Sequence, residues 1–363
     1  MISTPTLRVL ILKLNGGVLM ELSDRKLKIL SAVVNNYIQS AEPVSSKILC
    51  DLLDFSISSA TIRNELAELT ELGFLEQPHT SAGRIPSQLG YRLYINKLMS
   101  KSYLSKKTKD YINYSLNLNK KNPELILKNA ARLLANLTNS AVVSTNITSQ
   151  KNYIRSIKLV QISNYTTMII LTTSSGIIKN NLFRCDFLLN SDILSKFNNI
   201  LNEKFVGVFL SEITPAFIQT TAISLGEFAF IMSDVLNALF EVSTLASKPD
   251  FHFDGQTNLL LTPELNQQVA IELMNYLSCC DDISDLLFFP DNYKTRIFIG
   301  NENPHKEFAQ SSIIVTKYMV NNEDYGALGI IGPIRMDYSG LIANLEYTAF
   351  SLGNILNNLL NLE

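Results

Sequence analysis

The residue types best suited to recognising another molecule are concentrated in one segment, SSATIRNELAELTELGFLEQPHTSAGRIP, from Ser58 to Pro86. Thr61, Arg63 and Asn64 fall outside the apolar stripe of the helix predicted there. An arginine can donate two hydrogen bonds to guanine and an asparagine can make two with adenine, whereas threonine offers a hydroxyl and a methyl group. These side chains near the start of one helix therefore predict contact with base edges in DNA.

A basic run without any acidic residue follows this helix. From Gln77 to Lys109 the sequence contains no Asp or Glu. Contacts between such cations and phosphates set affinity for nucleic acid and make it depend on salt. Arg84, beside Gly83 in a predicted hairpin, is placed to enter a minor groove or hold a phosphate. The basic residues of the run are Arg84, Arg92, Lys97, Lys101, Lys106, Lys107 and Lys109, and His79 adds partial charge.

Two alternatives without DNA binding also explain these patterns. The basic run also fits an ordinary solvated face, and helix–turn–helix packing is common in all-α proteins. Glu65, Glu68 and Glu71 would repel phosphates if they faced a groove, and Glu65 and Glu68 share one flank of the helix. We therefore expect only the residues from Ser59 to Asn64 to face DNA.

Three predicted helices and a hairpin position these side chains. In the third helix, Ile62, Leu66 and Leu69 form the inward stripe, and Gly73 ends the helix. Since a recognition helix presents its first turns to bases, the pattern favours a helix-turn-helix reader. The predicted elements are helices at Ser23–Ser40, Ser45–Leu53 and Ser58–Leu72, a hairpin joining Phe74–Gln77 to Gly83–Pro86, and a helix at Ser87–Ser100.

The rest of the chain changes from strands to helices and back. Short β-rich runs separated by polar turns predict an antiparallel meander, which a helical region and further strands follow. This order indicates one α+β domain interrupted by a mainly helical insertion. The predicted elements are a helix at Glu124–Leu137, strands at Tyr153–Ser163, Thr166–Thr173 and Ile177–Phe183, helices within Ser191–Leu287 interrupted at Lys248–Thr262, strands at Arg296–Gly300, Ser312–Val320 and Gly326–Ile331, and a helix at Tyr338–Leu360.

Composition and charge indicate a globular chain with a basic front part. The 363 residues suffice for two or three domains, and 46% hydrophobic residues allow a buried core. The net charge of -2 hides an asymmetry. Residues 1–109 contain 14 Lys and Arg against 9 Asp and Glu, whereas the remainder contains 17 against 24. We therefore expect a polyanion-binding front part on an acidic body.

Cysteine and hydropathy patterns predict a cytoplasmic protein. Cys50, Cys185, Cys279 and Cys280 show no zinc-binding spacing, and we expect a reducing cytosol. No apolar run approaches the length that spans a bilayer, and no signal peptide is predicted. We expect no metal, no cofactor and no membrane partner.

Histidine and glycine patterns argue against an enzyme. His79, His252 and His305 are the only histidines, and none lies in a recognisable nucleophile or metal motif. Gly326, Gly329 and Gly332 lack the spacing and the following lysine of a phosphate-binding loop. We therefore interpret these glycines as turn and packing residues.

Several segments within the first hundred positions, and others later in the chain, match the pattern of a known family. These segments are Ala60-Thr61-Ile62-Arg63-Asn64-Glu65, Gly73-Phe74-Leu75, Gln77-Pro78-His79-Thr80-Ser81-Ala82-Gly83-Arg84-Ile85-Pro86, Gly90-Tyr91-Arg92, Asp254-Gly255, Asn258-Leu259-Leu260, Pro263-Glu264 and Gly332-Pro333-Ile334-Arg335-Met336-Asp337-Tyr338. In them the sequence resembles HrcA, the family of bacterial heat-inducible transcription repressors.

The resemblance implies an α+β multidomain protein and a set of partners. It implies an N-terminal winged helix-turn-helix domain at 23–105, and a GAF-like α/β domain with an antiparallel sheet at 106–187 plus 291–363. A mainly helical dimerisation domain is expected as an insertion at 188–290. The resemblance also implies a homodimer on the inverted-repeat CIRCE operator ahead of chaperone operons, with activity supported by the GroE chaperonin.

The expected DNA-contacting residues lie on the second and third helices, the hairpin and the helix after it. They comprise hydroxyl, amide and cationic side chains, together with one tyrosine. These residues are Ser45, Ser46, Lys47, Ser59, Thr61, Arg63, Asn64, His79, Thr80, Ser81, Arg84, Tyr91 and Arg92.

The sequence departs from the family pattern at three places. Ser45 stands where the family usually has glycine, and Ser87 replaces a more usual threonine. Residues 1–22 are interpreted as an N-terminal extension. We hypothesise that translation starts at Met20, because codons for Gly16-Gly17 can contain a ribosome-binding sequence.

Two interpretations of the body remain open. GAF-like folds often hold a small ligand, so a metabolite-sensing regulator is the alternative to a ligand-free repressor. Dimerisation is expected within 188–290, where an apolar stripe occurs at helical spacing. That stripe is equally compatible with the core of the domain. It consists of Leu225, Phe228, Met232, Val235, Leu236 and Leu239.

Overall fold

Serine caps start the helices at the front of the chain. The structure, a computed structural model, describes residues 9–13, 19–53, 58–118, 122–146, 152–186, 190–226, 228–279, 283–289 and 294–360. Ser23, Ser45, Ser58 and Ser87 each accept a hydrogen bond from the backbone N–H three residues further on, which satisfies an otherwise unpaired donor. The helices are α1 (Asp24–Ser40), α2 (Ser46–Leu52), α3 (Ser59–Glu71) and α4 (Gln88–Leu93), which continues as a π-helix over Tyr94–Leu98.

Two short hairpins accompany these helices. Strand β1 (Val9–Lys13) pairs antiparallel with β2 (Leu19–Ser23), and β3 (Leu75–Glu76) pairs with β4 (Ile85–Pro86). We call residues 24–98 the N-terminal unit. Gly16 and Gly17, on which the hypothesis of a start at Met20 depends, lie outside the described residues.

The N-terminal unit is built around α1 and α3. The predicted inward stripe of α3 is confirmed, because Ile62, Leu66 and Leu69 are buried. They belong to one hydrophobic cluster with Ile29 and Val33 of α1. Burial of this stripe leaves the opposite face of α3 to solvent.

A five-stranded antiparallel sheet forms the body of the molecule, and helices cover both of its faces. We call this sheet and its helices the sheet unit. Its elements are α5 (Lys106–Asn117), α6 (Pro123–Thr138), β5 (Ala141–Asn146), β9 (Phe251–Asp254), α10 (Gln267–Ser278), α11 (Ser284–Leu287), β10 (Thr295–Ile299), β11 (Ser311–Val320), β12 (Glu323–Pro333) and α12 (Tyr338–Leu360). The strand order in the sheet is β10-β11-β12-β5-β9.

A second sheet with its own core lies between β5 and β9 in the chain. Strands β6 (Ile154–Gln161), β7 (Thr166–Thr173) and β8 (Ile178–Arg184) form an antiparallel meander, as the sequence predicts. Their buried side chains pack with the helices that follow, which we group with these strands as the inserted unit. These helices are α7 (Ser191–Phe205), α8 (Pro215–Ser224) and α9 (Phe228–Ser247).

Strand pairing separates the meander from the other strands of the body. The expected domain at 106–187 plus 291–363 contains both the meander and the C-terminal strands, and among the described strands the meander pairs only within itself. In β7, Ile169 and Leu171 are buried on one face, and a one-sided strand needs a layer to cover it. Helices α7 and α9 supply this layer. Strand β9 then returns the chain to the sheet unit, where Phe251 pairs with Thr145.

Three elements were not predicted from the sequence. Helix α5 lies in a Lys- and Asn-rich stretch just after the predicted domain boundary at residue 105, where no helix was predicted. Strand β5 is entirely buried although it ends in Ser144, Thr145 and Asn146, whose polarity hides its position in the middle of a sheet. Strand β9 lies within the interruption predicted between helices.

Helix α9 corrects the expectation that no apolar run is long enough to span a bilayer. By length and composition, Phe228–Ser247 passes that test. The same test is passed by core helices of soluble proteins. Met232, Val235 and Leu239 are fully buried against the inserted unit, so most of the stripe considered for dimerisation is core. Phe228, at its start, is exposed.

Candidate nucleic-acid interface

The starts of α2 and α3 meet at a small polar network. The hydroxyl groups of Ser46 and Ser59 lie 3.1 Å apart. Nε of Arg63 donates to Oγ of Ser46 at 3.4 Å, and the rest of the guanidinium side chain is exposed. This network ties the second helix to the third and holds the Arg63 side chain at its Nε atom. A side chain held in this way loses less entropy when it binds a ligand.

The remaining predicted residues on these helices surround the network. Thr61 is partly exposed and its hydroxyl contacts that of the cap Ser58 at 3.0 Å. Asn64 and Lys47 are exposed, and Ser45 caps α2. The structure therefore brings the predicted residues of both helices to one solvent-facing surface.

Two acidic residues of α3, one buried and one exposed, are paired with basic residues of α1. The carboxylate of Glu65 is buried and forms ion pairs with Arg25 and with Nζ of Lys26, the latter at 3.2 Å. Nζ of Lys26 also contacts Glu68 at 2.8 Å. Hydrogen bonding to Glu68 and to Glu65 raises the pKa of Lys26, which keeps the lysine charged. The acidic flank is thus neutralised by α1 and does not oppose phosphates.

A backbone bridge fixes the hairpin against α2. The N–H of Arg84 donates to the carbonyl oxygen of Val44, and the N–H of Val44 donates to that of Arg84, both at 2.9 Å. A Cβ at Gly83 would lie 2.4 Å from the Val44 oxygen, so this close approach requires glycine. The hairpin is therefore positioned by main-chain contacts.

The side chain of Arg84 is partly engaged within the N-terminal unit. Its Nε donates to Oγ1 of Thr70 at 2.9 Å, and the residue is half-buried. The guanidinium lines a cleft of about 470 Å³ with Arg63 and the hairpin. The structure thus places both arginines on one concave surface. Its other lining residues are Val44, Ser45, Ser46, Leu66, Gln77, Thr80, Ser81, Ala82 and Gly83.

The tip of the hairpin is exposed and ordered by a glutamine. The amide Nε2 of Gln77 donates to the carbonyl oxygens of Thr80 and Ala82, at 2.9 and 3.1 Å. His79, Thr80 and Ser81 are exposed at this tip. The contacts of Gln77 and Thr70 were not predicted from the sequence, because the partners of a long or helical polar side chain depend on the folded backbone around it.

Tyr91 and Arg92, which are predicted DNA contacts, do not join this surface. Tyr91 is 1% exposed, and its ring centroid lies 5.9 Å from that of Tyr338. Arg92 donates to Glu302 and to the carbonyl oxygen of Ile297 in the sheet unit. Both side chains face the body because α4 packs against the sheet unit.

An exposed polar helix start beside a positioned hairpin, on a small helical unit, is the arrangement of DNA-binding transcription regulators. A family model described as "HrcA protein C terminal domain" matches residues 124–342. The chain belongs to the HrcA family of heat-inducible transcription repressors.

Relatives match the chain over nearly its whole length. The heat-inducible transcription repressor HrcA of Clostridium botulinum (strain Eklund 17B / Type B) is 34% identical over 93% of this chain and 99% of its own. That of Ruminiclostridium cellulolyticum is 35% identical over 90% of this chain and 95% of its own. A solved crystal structure of a hypothetical protein has a TM-score of 0.62 at 23% identity, covering 93% of this chain and 99% of that one. The structural match supports the fold alone.

Proposed function

We propose that this protein is a dimeric winged helix-turn-helix repressor that binds the inverted-repeat CIRCE operator ahead of chaperone operons in the cytoplasm. Helix α3 is the recognition helix, and the β3–β4 hairpin is the wing. The observation that carries the proposal is the shared surface on which Arg63, Asn64 and the hairpin tip face solvent while Glu65 is turned inward.

Direct base contact fits the first two turns of α3. Thr61, Arg63 and Asn64 offer the donors and acceptors that distinguish base pairs in the major groove. The hairpin tip, with His79, contacts the flanking phosphates in this proposal, as Arg84 does from the side of the cleft. The predicted domain at 23–105 contains all of these residues.

The sheet unit and the inserted unit fill the remaining roles of the proposal. A central antiparallel sheet with helices on both faces supports a GAF-like assignment for the sheet unit. In our proposal the dimerisation domain comprises the inserted unit. We place its limits near residues 152 and 247, because the residues between them form a hydrophobic cluster of their own. Support by the GroE chaperonin rests on the family assignment alone.

An apolar surface at the α8–α9 turn supports self-association. Ile223 and Phe230 are 81% and 90% exposed, and Phe228 and Ile231 are also exposed. We call these four residues the apolar tip. Clustered apolar side chains of this kind mark interaction sites more often than isolated ones do. The proposal assigns the apolar tip to contact with a second copy of the chain.

Gel-shift titration of an inverted-repeat operator tests the DNA-binding part. We expect Arg63→Ala to weaken operator binding by roughly 1–3 kcal/mol and to relax discrimination at one base pair. The matched control is Arg155→Ala, an exposed arginine on β6 of the inserted unit, and it should bind like the wild type. Unchanged affinity and specificity of Arg63→Ala would contradict the proposed docking surface.

A metabolite-sensing regulator remains the second candidate, because the body contains a polar cavity. A cleft of about 430 Å³ lies between α6, β8 and β9. Glu124, Lys179, Asp250 and His252 line it, and Nε2 of His252 is buried without a hydrogen-bond partner among the described residues. Burial lowers the pKa of His252, so its imidazole is held neutral. Thermal-shift screening against metabolites tests this candidate: a stabilising compound supports it only if His252→Ala abolishes the shift.

A further inference from the structure

An arginine of the N-terminal unit fastens α4 to the edge of the central sheet. Nε of Arg92 donates to Oε1 of Glu302 at 2.8 Å, and Nη2 donates to the carbonyl oxygen of Ile297 at 2.7 Å. Ile297 lies in β10, an edge strand of the five-stranded sheet. Oε2 of Glu302 also accepts a hydrogen bond from the backbone of Ile299 at 3.0 Å. The carboxylate is therefore held in place on the body while it binds the arginine.

A second arginine makes the reciprocal contact from the body. Nη1 of Arg335, in the segment between β12 and α12, donates to the carbonyl oxygen of Ile38 near the end of α1, at 2.6 Å. Nε of Arg335 donates to Oε1 of Glu264 within the sheet unit, also at 2.6 Å. Arg335 is thus oriented by one contact and reaches the N-terminal unit with the other. Bidentate and fork-shaped arginine contacts fix direction as well as distance.

Apolar packing and a short polar contact fill the space between the two arginines. Tyr91 and Tyr338 are both fully buried and their rings pack together. The backbone N–H of Asn301 donates to Oε1 of Gln88 at 3.1 Å. One hydrophobic cluster runs without a break from α1 and α3 into α6 and α12. The N-terminal unit is therefore packed on the body as part of a shared core and not tethered as a free module.

Three family-like segments far apart in the chain meet at this contact. Gly90-Tyr91-Arg92, Pro263-Glu264 and the segment from Gly332 to Tyr338 supply its main residues, yet none of them faces the DNA-binding surface. We propose that Arg92 and Arg335 are positioning residues that fix the orientation of the N-terminal unit and thereby set the half-site spacing that a dimer accepts. This inference rests on the proposed function.

The physical basis is the geometry of two linked binding sites. In a dimer, the second half-site is bound as an intramolecular event whose effective concentration depends on whether linker and site geometry match. Reading heads held rigidly accept one spacing of the inverted repeat. Heads whose angle on the body can vary accept several spacings at more similar affinity, although each head still binds a half-site equally well. Loss of the arginine contacts therefore changes spacing preference and not half-site recognition.

Binding to operators of different spacer length tests the inference. Wild type, Arg92→Ala, Arg335→Ala and the milder Glu302→Gln are titrated by fluorescence anisotropy against a single half-site and against inverted repeats with the spacer changed in small steps. The matched control is Arg132→Ala, because Arg132 pairs with Asp254 at 3.4 Å entirely within the sheet unit. Circular dichroism identifies variants that remain folded, and Glu302→Gln supplies the test if an alanine variant does not fold.

We expect the wild type and Arg132→Ala to bind the best spacing about tenfold or more tightly than a spacing offset by half a helical turn. In the interface variants this ratio of affinities should fall to about twofold, while the affinity for a single half-site stays unchanged. A ratio that stays high in the folded interface variants overturns the inference. So does a uniform loss of affinity at every spacing, which indicates a merely structural role. A wild type that prefers no inverted repeat contradicts the proposed function itself, and the inference with it.

Discussion

At the residue scale, the pairing of one buried carboxylate decides which face of α3 is available. The sequence alone does not show whether Glu65 faces solvent, where a carboxylate would repel DNA phosphates, or the interior of the N-terminal unit. The ion pairs with Arg25 and Lys26 resolve this question by turning the charge toward α1. The burial of Ile62 and Leu66 on one face of the helix could be predicted from their spacing of four residues. The partners of Glu65 could not, because their contact joins positions about forty residues apart.

Removal of this carboxylate should destabilise the N-terminal unit. We expect Glu65→Ala to lower the free energy of unfolding by roughly 1–3 kcal/mol, because it removes the acceptor of the Arg25 hydrogen bond and leaves Lys26 with Glu68 alone. The matched control is Glu71→Ala at the exposed end of the same helix, for which we expect a change within about 0.5 kcal/mol. Urea unfolding of both variants measures the difference, and equal stabilities would show that the pairing contributes nothing.

At the element scale, main-chain contacts position the hairpin beside α3, the proposed recognition helix. The hairpin itself could be predicted from its turn residues, as could the N-caps of the helices. The bridge between Val44 and Arg84 could not, since it uses backbone groups that every residue carries. The same limit applies to Tyr91 and Arg92, whose contacts with the body could not be predicted. They follow the hairpin in the sequence, but α4 turns them toward the body.

A single added carbon should disturb the hairpin. We expect Gly83→Ala to destabilise the protein by about 1–3 kcal/mol, because its Cβ would clash with the Val44 carbonyl and force the backbone bridge apart. It should also weaken binding to all DNA sequences, since the hairpin contributes phosphate contacts in our proposal. Ser81→Ala, at the exposed tip, is the control for the melting temperature only, because Ser81 is itself an expected DNA contact. Salt-dependent gel shifts compare Gly83→Ala with the wild type. A Gly83→Ala protein as stable as the Ser81→Ala protein would refute the argument.

At the scale of the whole molecule, the division into units follows hydrophobic clusters and not the order of strands and helices. The sequence predicts an α+β body with an insertion, and the structure contains one. The partners of the β6 to β8 meander could not be predicted, because local sequence pattern does not encode strand partners and the meander resembles the strands of the central sheet. Only the buried face that packs on α7 and α9 separates it from them.

Self-association should depend on the apolar tip. We expect Phe230→Glu to raise the dimer dissociation constant by about tenfold or more, because a charge at the centre of an apolar contact remains desolvated without a partner. Leu261→Glu is the matched control, since Leu261 is 79% exposed but lies outside the tip. Analytical ultracentrifugation measures both. Dimerisation that survives Phe230→Glu would place the interface elsewhere.

Selection of bound sequences from a random pool of double-stranded DNA tests the central claim most directly. The account predicts that the wild-type protein enriches an inverted repeat, and that Arg63→Ala loses information at a symmetric pair of positions within it. Repetition with the GroE chaperonin present should increase the bound fraction without changing the motif. Enrichment of no motif, or of a single half-site without its inverted copy, would contradict the account.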